Sequence, residues 1–186
     1  MPYNLVYVID ASLSMRKSYN DFIPSKLETV KEVLVHIISR LIEENNDMRV
    51  GAVAFYGSAL PLLPLTRDKK SVIDTLSRLR ILGEGSAPGN GLVEAVKLMR
   101  RARGFKKTII VTDGGFNAGI PLDIAALYAR NMAVKTSIIV IGSQVKDTDI
   151  YYIDKTIRYC GGSKYFVETK SELLQALHKD VKSVGR

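Results

Sequence analysis

Short apolar runs alternate along this chain with longer segments of helical period, and that alternation restricts its possible folds more than any other feature. The run Leu5-Val6-Tyr7-Val8-Ile9 is too short for a helix and has no polar face, so it reads as a strand buried on both sides. Residues 48–55, 107–111, 134–141 and 164–167 read as strands too. Between them, Pro24-Ser25-Lys26-Leu27-Glu28 forms a capping box, and Leu27, Val30, Leu34, Ile37, Ile38 and Leu41 follow at helical spacing. Further helices are expected from near Asp68 through Val72, Leu76 and Leu79, then over 91–101, 121–131 and 148–159, the last ending at Gly161. A second capping box, Thr169-Lys170-Ser171-Glu172, opens a final helix through Leu173, Leu174, Leu177 and Val181. Residues 59–63 contain Pro61 and run into Pro64, and proline cannot donate to a central ladder, so they form an edge strand. The pattern predicts an α/β fold with a doubly wound, mainly parallel sheet.

Two of the buried runs end in oxygen-bearing side chains. Asp10, Ser12 and Ser14 stand at alternate positions after the first run, and Thr112-Asp113-Gly114-Gly115 follows the run at 107–111. The carboxyl ends of parallel strands are where such sheets bind ligands. Between them, Gly83-Glu84-Gly85-Ser86-Ala87-Pro88-Gly89-Asn90-Gly91-Leu92 offers another hydroxyl in a loop before a helix. Carboxylates and hydroxyls converging on one point suit a hard cation. In this reading Thr112 finishes its strand and Asn117 is a turn residue.

Taken together, Asp10-x-Ser12-x-Ser14, Ser86 and Thr112-Asp113-Gly114 resemble the metal-ion-dependent adhesion site of von Willebrand factor type A domains. The resemblance extends through Arg49-Val50-Gly51-Ala52-Val53-Ala54-Phe55, Leu62-Leu63-Pro64-Leu65-Thr66 and Gly161-Gly162-Ser163-Lys164-Tyr165-Phe166. It implies a Rossmann-like sheet of six strands in the order 3-2-1-4-5-6, with the third antiparallel at the edge, which sets Asp10 and Asp113 side by side. It also implies a magnesium ion, for which manganese can substitute, held by Asp10, Ser12, Ser14, Ser86 and Asp113. The family usually has threonine where this chain has Ser86, which keeps the hydroxyl but loses the methyl group that restricts its rotamer. An open coordination position would accept an aspartate or glutamate of a protein partner. Intracellular members work beside AAA-type ATPases and in other multiprotein assemblies, which makes an interaction module the expected function.

The remaining features narrow the alternatives. At 186 residues the chain fits one domain, 1–186, able to bury roughly 70% of its unfolded surface without staples. A single cysteine, Cys160, and the lack of a basic leader or long apolar stretch lead to a cytoplasmic expectation with no membrane contact. The formal charge of +8 would allow nucleic-acid binding. However, Arg67-Asp68-Lys69-Lys70, Arg100-Arg101-Ala102-Arg103 and Lys106-Lys107 lack interleaved aromatics and read as solvated helix ends. His36 and His178 have no partners at zinc spacing, and Cys160 has no catalytic context. No Gly-x-Gly-x-x-Gly follows the first strand and no Gly-Lys-Ser/Thr occurs, so nucleotide cradles are excluded. The strongest enzymatic alternative is magnesium-dependent phosphoryl transfer with Asp10 as nucleophile, although the second aspartate of haloacid-dehalogenase-like phosphatases is replaced by Ser12.

Overall fold

The computed structural model describes residues 1–182 of the chain, so the last four positions of the expected domain lie outside the described residues. Six strands form one sheet: β1 (Tyr3–Asp10), β2 (Met48–Phe55), β3 (Ala59–Thr66), β4 (Phe105–Thr112), β5 (Val134–Ile141) and β6 (Lys164–Val167). Their order is β3-β2-β1-β4-β5-β6, and every pairing is parallel except that of β2 with β3. Both the order and the antiparallel edge are those expected.

Helices cover both faces. Leu5, Tyr7 and Ile9 point into a core completed by α1 (Lys26–Glu44), α2 (Lys69–Arg78) and α6 (Lys170–Lys182). Val6 and Val8 point the other way, into a core with α3 (Pro88–Met99), α4 (Leu122–Asn131) and α5 (Asp147–Cys160). Because β1 is central and covered twice, alternate residues from Leu5 to Ile9 face different cores and are fully buried. Each buried aliphatic side chain of this kind contributes about 1.5–3 kcal/mol.

Local chemistry places the ends of the helices. The Ser25 hydroxyl accepts from the Glu28 amide at 3.1 Å and starts α1, while Asp68 caps α2 through the amides of Lys70 and Ser71. Gly161, at φ +69°, stops α5 in the left-handed conformation. Helix α3 begins at Pro88, earlier than the expected residue 91, because proline at the first helical position gives up no needed donor. Strand β3 runs on past Pro64 to Thr66, and register shifts beside Ala52 absorb its irregular edge.

One charged residue departs from its expected setting. Lys107 reads in the sequence as part of a solvated basic cluster, yet it is buried on the central strand β4. Its Nζ lies 2.8 Å from Asp180 Oδ2 and donates to the Asp180 carbonyl at 2.8 Å, and Ser137 Oγ donates to Asp180 Oδ1 at 2.8 Å. The pair ties α6 to the middle of the sheet.

Candidate metal centre

Asp10 is the last residue of β1, and β4 beside it ends at Thr112, so the two strand ends set their loops together. Asp10 is fully buried and both its oxygens are engaged. Oδ1 accepts from the Ser12 amide at 3.0 Å, and Oδ2 accepts from Thr112 Oγ1 at 2.6 Å. Burial, reinforced by the neighbouring Asp113 charge, pushes its carboxyl up to about 6 against the pull of those hydrogen bonds.

After Asp10 the chain makes a short 3-10 turn, Leu13–Arg16, anchored by the buried Met15. This presents Ser12 and Ser14 together, with their hydroxyl oxygens 3.1 Å apart. Ser14 Oγ donates to Asp113 Oδ1 at 2.9 Å, and Lys26 Nζ, at the start of α1, donates to Asp113 Oδ2 at 2.5 Å. Asp10, Ser12, Ser14 and Asp113 thus form one connected polar cluster through the Ser12 backbone and the serine hydroxyls.

The loop carrying Asp113 is held from behind. Gly114 and Gly115 take φ of +88° and +72°, values that favour glycine, and turn their amides back into the protein. Gly114 N donates to Thr112 Oγ1 at 3.1 Å, and Gly115 N donates to the buried Asp149 at 2.7 Å. Ser86 comes from the loop before α3, where its amide donates to Asn117 Oδ1 at 2.9 Å and its carbonyl accepts from the amides of Asn117 and Ala118. The Ser86 hydroxyl is buried and has no hydrogen-bond partner.

These pieces enclose a cleft of about 470 Å³ lined by Ser12, Ser14, Ser86, Asp113, Glu84 and Asp149, among others. Asp10 is fully buried and absent from that lining. Every sequence-predicted site residue therefore lies at this end of the sheet, with four in the polar cluster and Ser86 opening into the same cleft. Among the described residues, no three of His, Cys, Asp and Glu come together to hold a metal.

Four residues outside the expected site contribute to it. Thr112 does more than finish its strand, because it ties Asp10 to the loop of Asp113. Asn117 is the brace for Ser86, Asp149 the brace for Gly115, and Lys26 the partner of Asp113. Asp149 and Lys26 lie in the first turns of α5 and α1, and only the three-dimensional pairing reveals their roles.

The other singled-out residues lie elsewhere. His36 and His178 are exposed and line a larger groove, about 870 Å³, at the amino end of the sheet between α1 and α6, away from the polar cluster. The Cys160 thiol donates to the Ala126 carbonyl at 3.3 Å, and burial raises its pKa. Among the described residues no helix is long and apolar enough to cross a membrane.

Comparison with known proteins agrees with this architecture. The family model of the von Willebrand factor type A domain matches residues 4–180. The chain belongs to that family, whose members are generally protein-interaction modules. An uncharacterised protein of Borreliella burgdorferi is 33% identical over 144 residues, covering 75% of this chain and 41% of the relative. The chain thus spans less than half the length of that relative. Among solved structures, BatB from Bacteroides thetaiotaomicron superposes with a TM-score of 0.79 at 22% identity, covering 97% of both chains. Proximal thread matrix protein 1 from the mussel byssus, with a zinc-occupied metal-ion-dependent adhesion site, gives a TM-score of 0.78 at 20% identity, covering 97% of this chain and 45% of the other.

Proposed function

We propose that this domain holds one divalent cation, magnesium or manganese, with Asp10, Ser12, Ser14, Ser86 and Asp113, and uses it to capture an acidic side chain of a protein partner. The observation that carries the reading is the Ser86 hydroxyl, buried without a partner beside Ser12, Ser14 and Asp113. A buried hydroxyl without a hydrogen bond is costly, and a cation in the cleft would satisfy it. The rest of the donor set fits the same ion, since hard cations prefer oxygen ligands and two carboxylates match a double charge. The zinc-occupied site of the byssus protein lends support by fold analogy. When bound, the ion supplies an electrophilic position at the carboxyl end of the sheet. Arg16 and Lys17 stand exposed on the adjoining loop and add positive potential for an incoming carboxylate.

Phosphoryl transfer is the weaker reading. Asp10, its required nucleophile, is fully buried with both oxygens accepting hydrogen bonds, and the second aspartate that haloacid-dehalogenase-like chemistry requires is Ser12. Nucleic-acid binding is weaker too, because the basic clusters are partly neutralised internally: Lys69 pairs with Glu43, Arg67 with Asp47, and Lys107 is buried on Asp180. A reducing compartment suits a chain whose single cysteine is buried and unpaired.

Titration calorimetry with magnesium tests the reading. One binding event is expected, lost in Asp10→Ala and Asp113→Ala, with a thermal stabilisation worth about 2.7 kcal/mol at a hundredfold excess over Kd. Magnesium-dependent turnover of a phosphoester that disappears in Asp10→Asn would replace this reading with the enzymatic one.

A further inference from the structure

Lys26 breaks a local rule. It is the first residue of α1, where the partial positive charge of the helix end disfavours a cation. It is nevertheless drawn inward, with its side chain 12% exposed, and its ammonium meets Asp113, itself 6% exposed, at 2.5 Å. The position is fixed from both sides, because the Lys26 amide donates to the Lys17 carbonyl at 3.0 Å and Ser25 caps the same turn. Lys26 takes Asp113 Oδ2 while Ser14 takes Oδ1, so this carboxylate is shared between the loop of the first strand and the first helix.

We propose that Lys26 is a built-in cation that sets the charge of the centre, weakening its hold on the divalent ion and strengthening its hold on the partner's carboxylate. This rests on the metal reading above. Asp10 and Asp113 carry two negative charges, the ion two positive ones and Lys26 one more, so these four groups, taken as the centre, sum to +1; Glu84 and Asp149, which also line the cleft, are the same with or without the Lys26 charge. An entering carboxylate brings it to neutrality. Without the Lys26 charge, the loaded centre is already neutral, and the same carboxylate would leave it at −1. Ion and anion are therefore affected in opposite directions, a signature that loss of packing or of a hydrogen bond does not produce. In the metal-free protein the same ammonium compensates Asp113, which would otherwise be a nearly buried carboxylate beside the carboxyl of Asp10, with the Ser14 hydroxyl as its remaining side-chain donor.

Lys26→Gln removes the charge and keeps a polar donor, on a side chain one bond shorter than that of lysine. Lys26→Arg keeps the charge. Magnesium binding is measured by calorimetry, and acetate is then titrated at saturating magnesium while the amide signals of Gly114 and Gly115 are followed by NMR. Lys26→Gln is expected to bind magnesium about tenfold more tightly and acetate about tenfold more weakly, with Lys26→Arg close to wild type. A Lys26→Gln protein whose two affinities move in the same direction, or not at all, while the wild type binds magnesium, overturns this proposal and leaves the metal reading standing. A wild type that binds no magnesium overturns both.

Discussion

Thr112 Oγ1 donates to Asp10 Oδ2 at 2.6 Å and accepts from the Gly114 amide at 3.1 Å, so one hydroxyl joins the carboxylate of β1 to the loop that follows β4. Thr112→Val removes both bonds while keeping the shape and leaves a buried carboxylate oxygen without its donor. The expected loss is about 1–3 kcal/mol of stability by urea denaturation, with weaker magnesium binding. Thr112→Ser should restore both.

The buried Asp10 carboxyl gives the metal-free domain a defined pH response. An unfolded aspartate titrates near 3.8, whereas burial raises folded Asp10 to about 6, so the native state holds the proton more tightly. The stability it contributes is complete below the unfolded value and is lost as the pH rises through the folded one. The total loss is about 3 kcal/mol. Denaturation in chelator across this range should show wild type losing stability relative to Asp10→Asn between the two values and running parallel to it above.

At Ser86 the proposed metal binding can be separated from folding. Its hydroxyl has no hydrogen-bond partner, so Ser86→Ala should leave the metal-free domain as stable as wild type or slightly more so, yet weaken magnesium binding. Ser86→Thr keeps the oxygen and should retain the ion. Melting temperatures with and without magnesium report both effects in one experiment.

At the far end of the structure, Lys107→Met leaves the buried Asp180 without its cation, at an expected cost of about 3–5 kcal/mol in chemical denaturation. Combining it with Asp180→Leu should recover most of that loss. Magnesium affinity should stay unchanged in the double variant, because the pair lies in the core beneath α6 rather than in the cleft.

The strands were legible because the central ones are covered on both faces, which makes runs such as Leu5-Val6-Tyr7-Val8-Ile9 continuous in sequence as well as in space. Helix starts were legible where a side chain caps its own turn, as Ser25 does. Asp10, Ser12, Ser14 and Asp113 were legible as a group because each stands just beyond a readable strand. What the sequence concealed were pairings between distant segments. Lys26 looks like an ordinary residue of a capping box until α1 brings it onto Asp113, and Asp149 looks like an ordinary first-turn acid until Gly115 turns its amide toward it. Lys107 was misread for the same reason, since a lysine beside Lys106 looks solvated unless the position of Asp180 on α6 is known.

The two margins of the sheet have a consequence for how this domain can assemble. On one side β3 presents exposed Pro61 and Pro64, which have no amide hydrogen to offer, and its register against β2 is broken twice. On the other, β6 is only four residues long. Neither rim offers a long, regular row of free donors and acceptors on which a further strand could be templated. Extension of the sheet into a filament or an edge-to-edge dimer is therefore disfavoured. On the proposed function, association falls instead to the rim of loops at the carboxyl ends of the strands, where recognition would depend on side chains and a captured ion rather than on main-chain pairing.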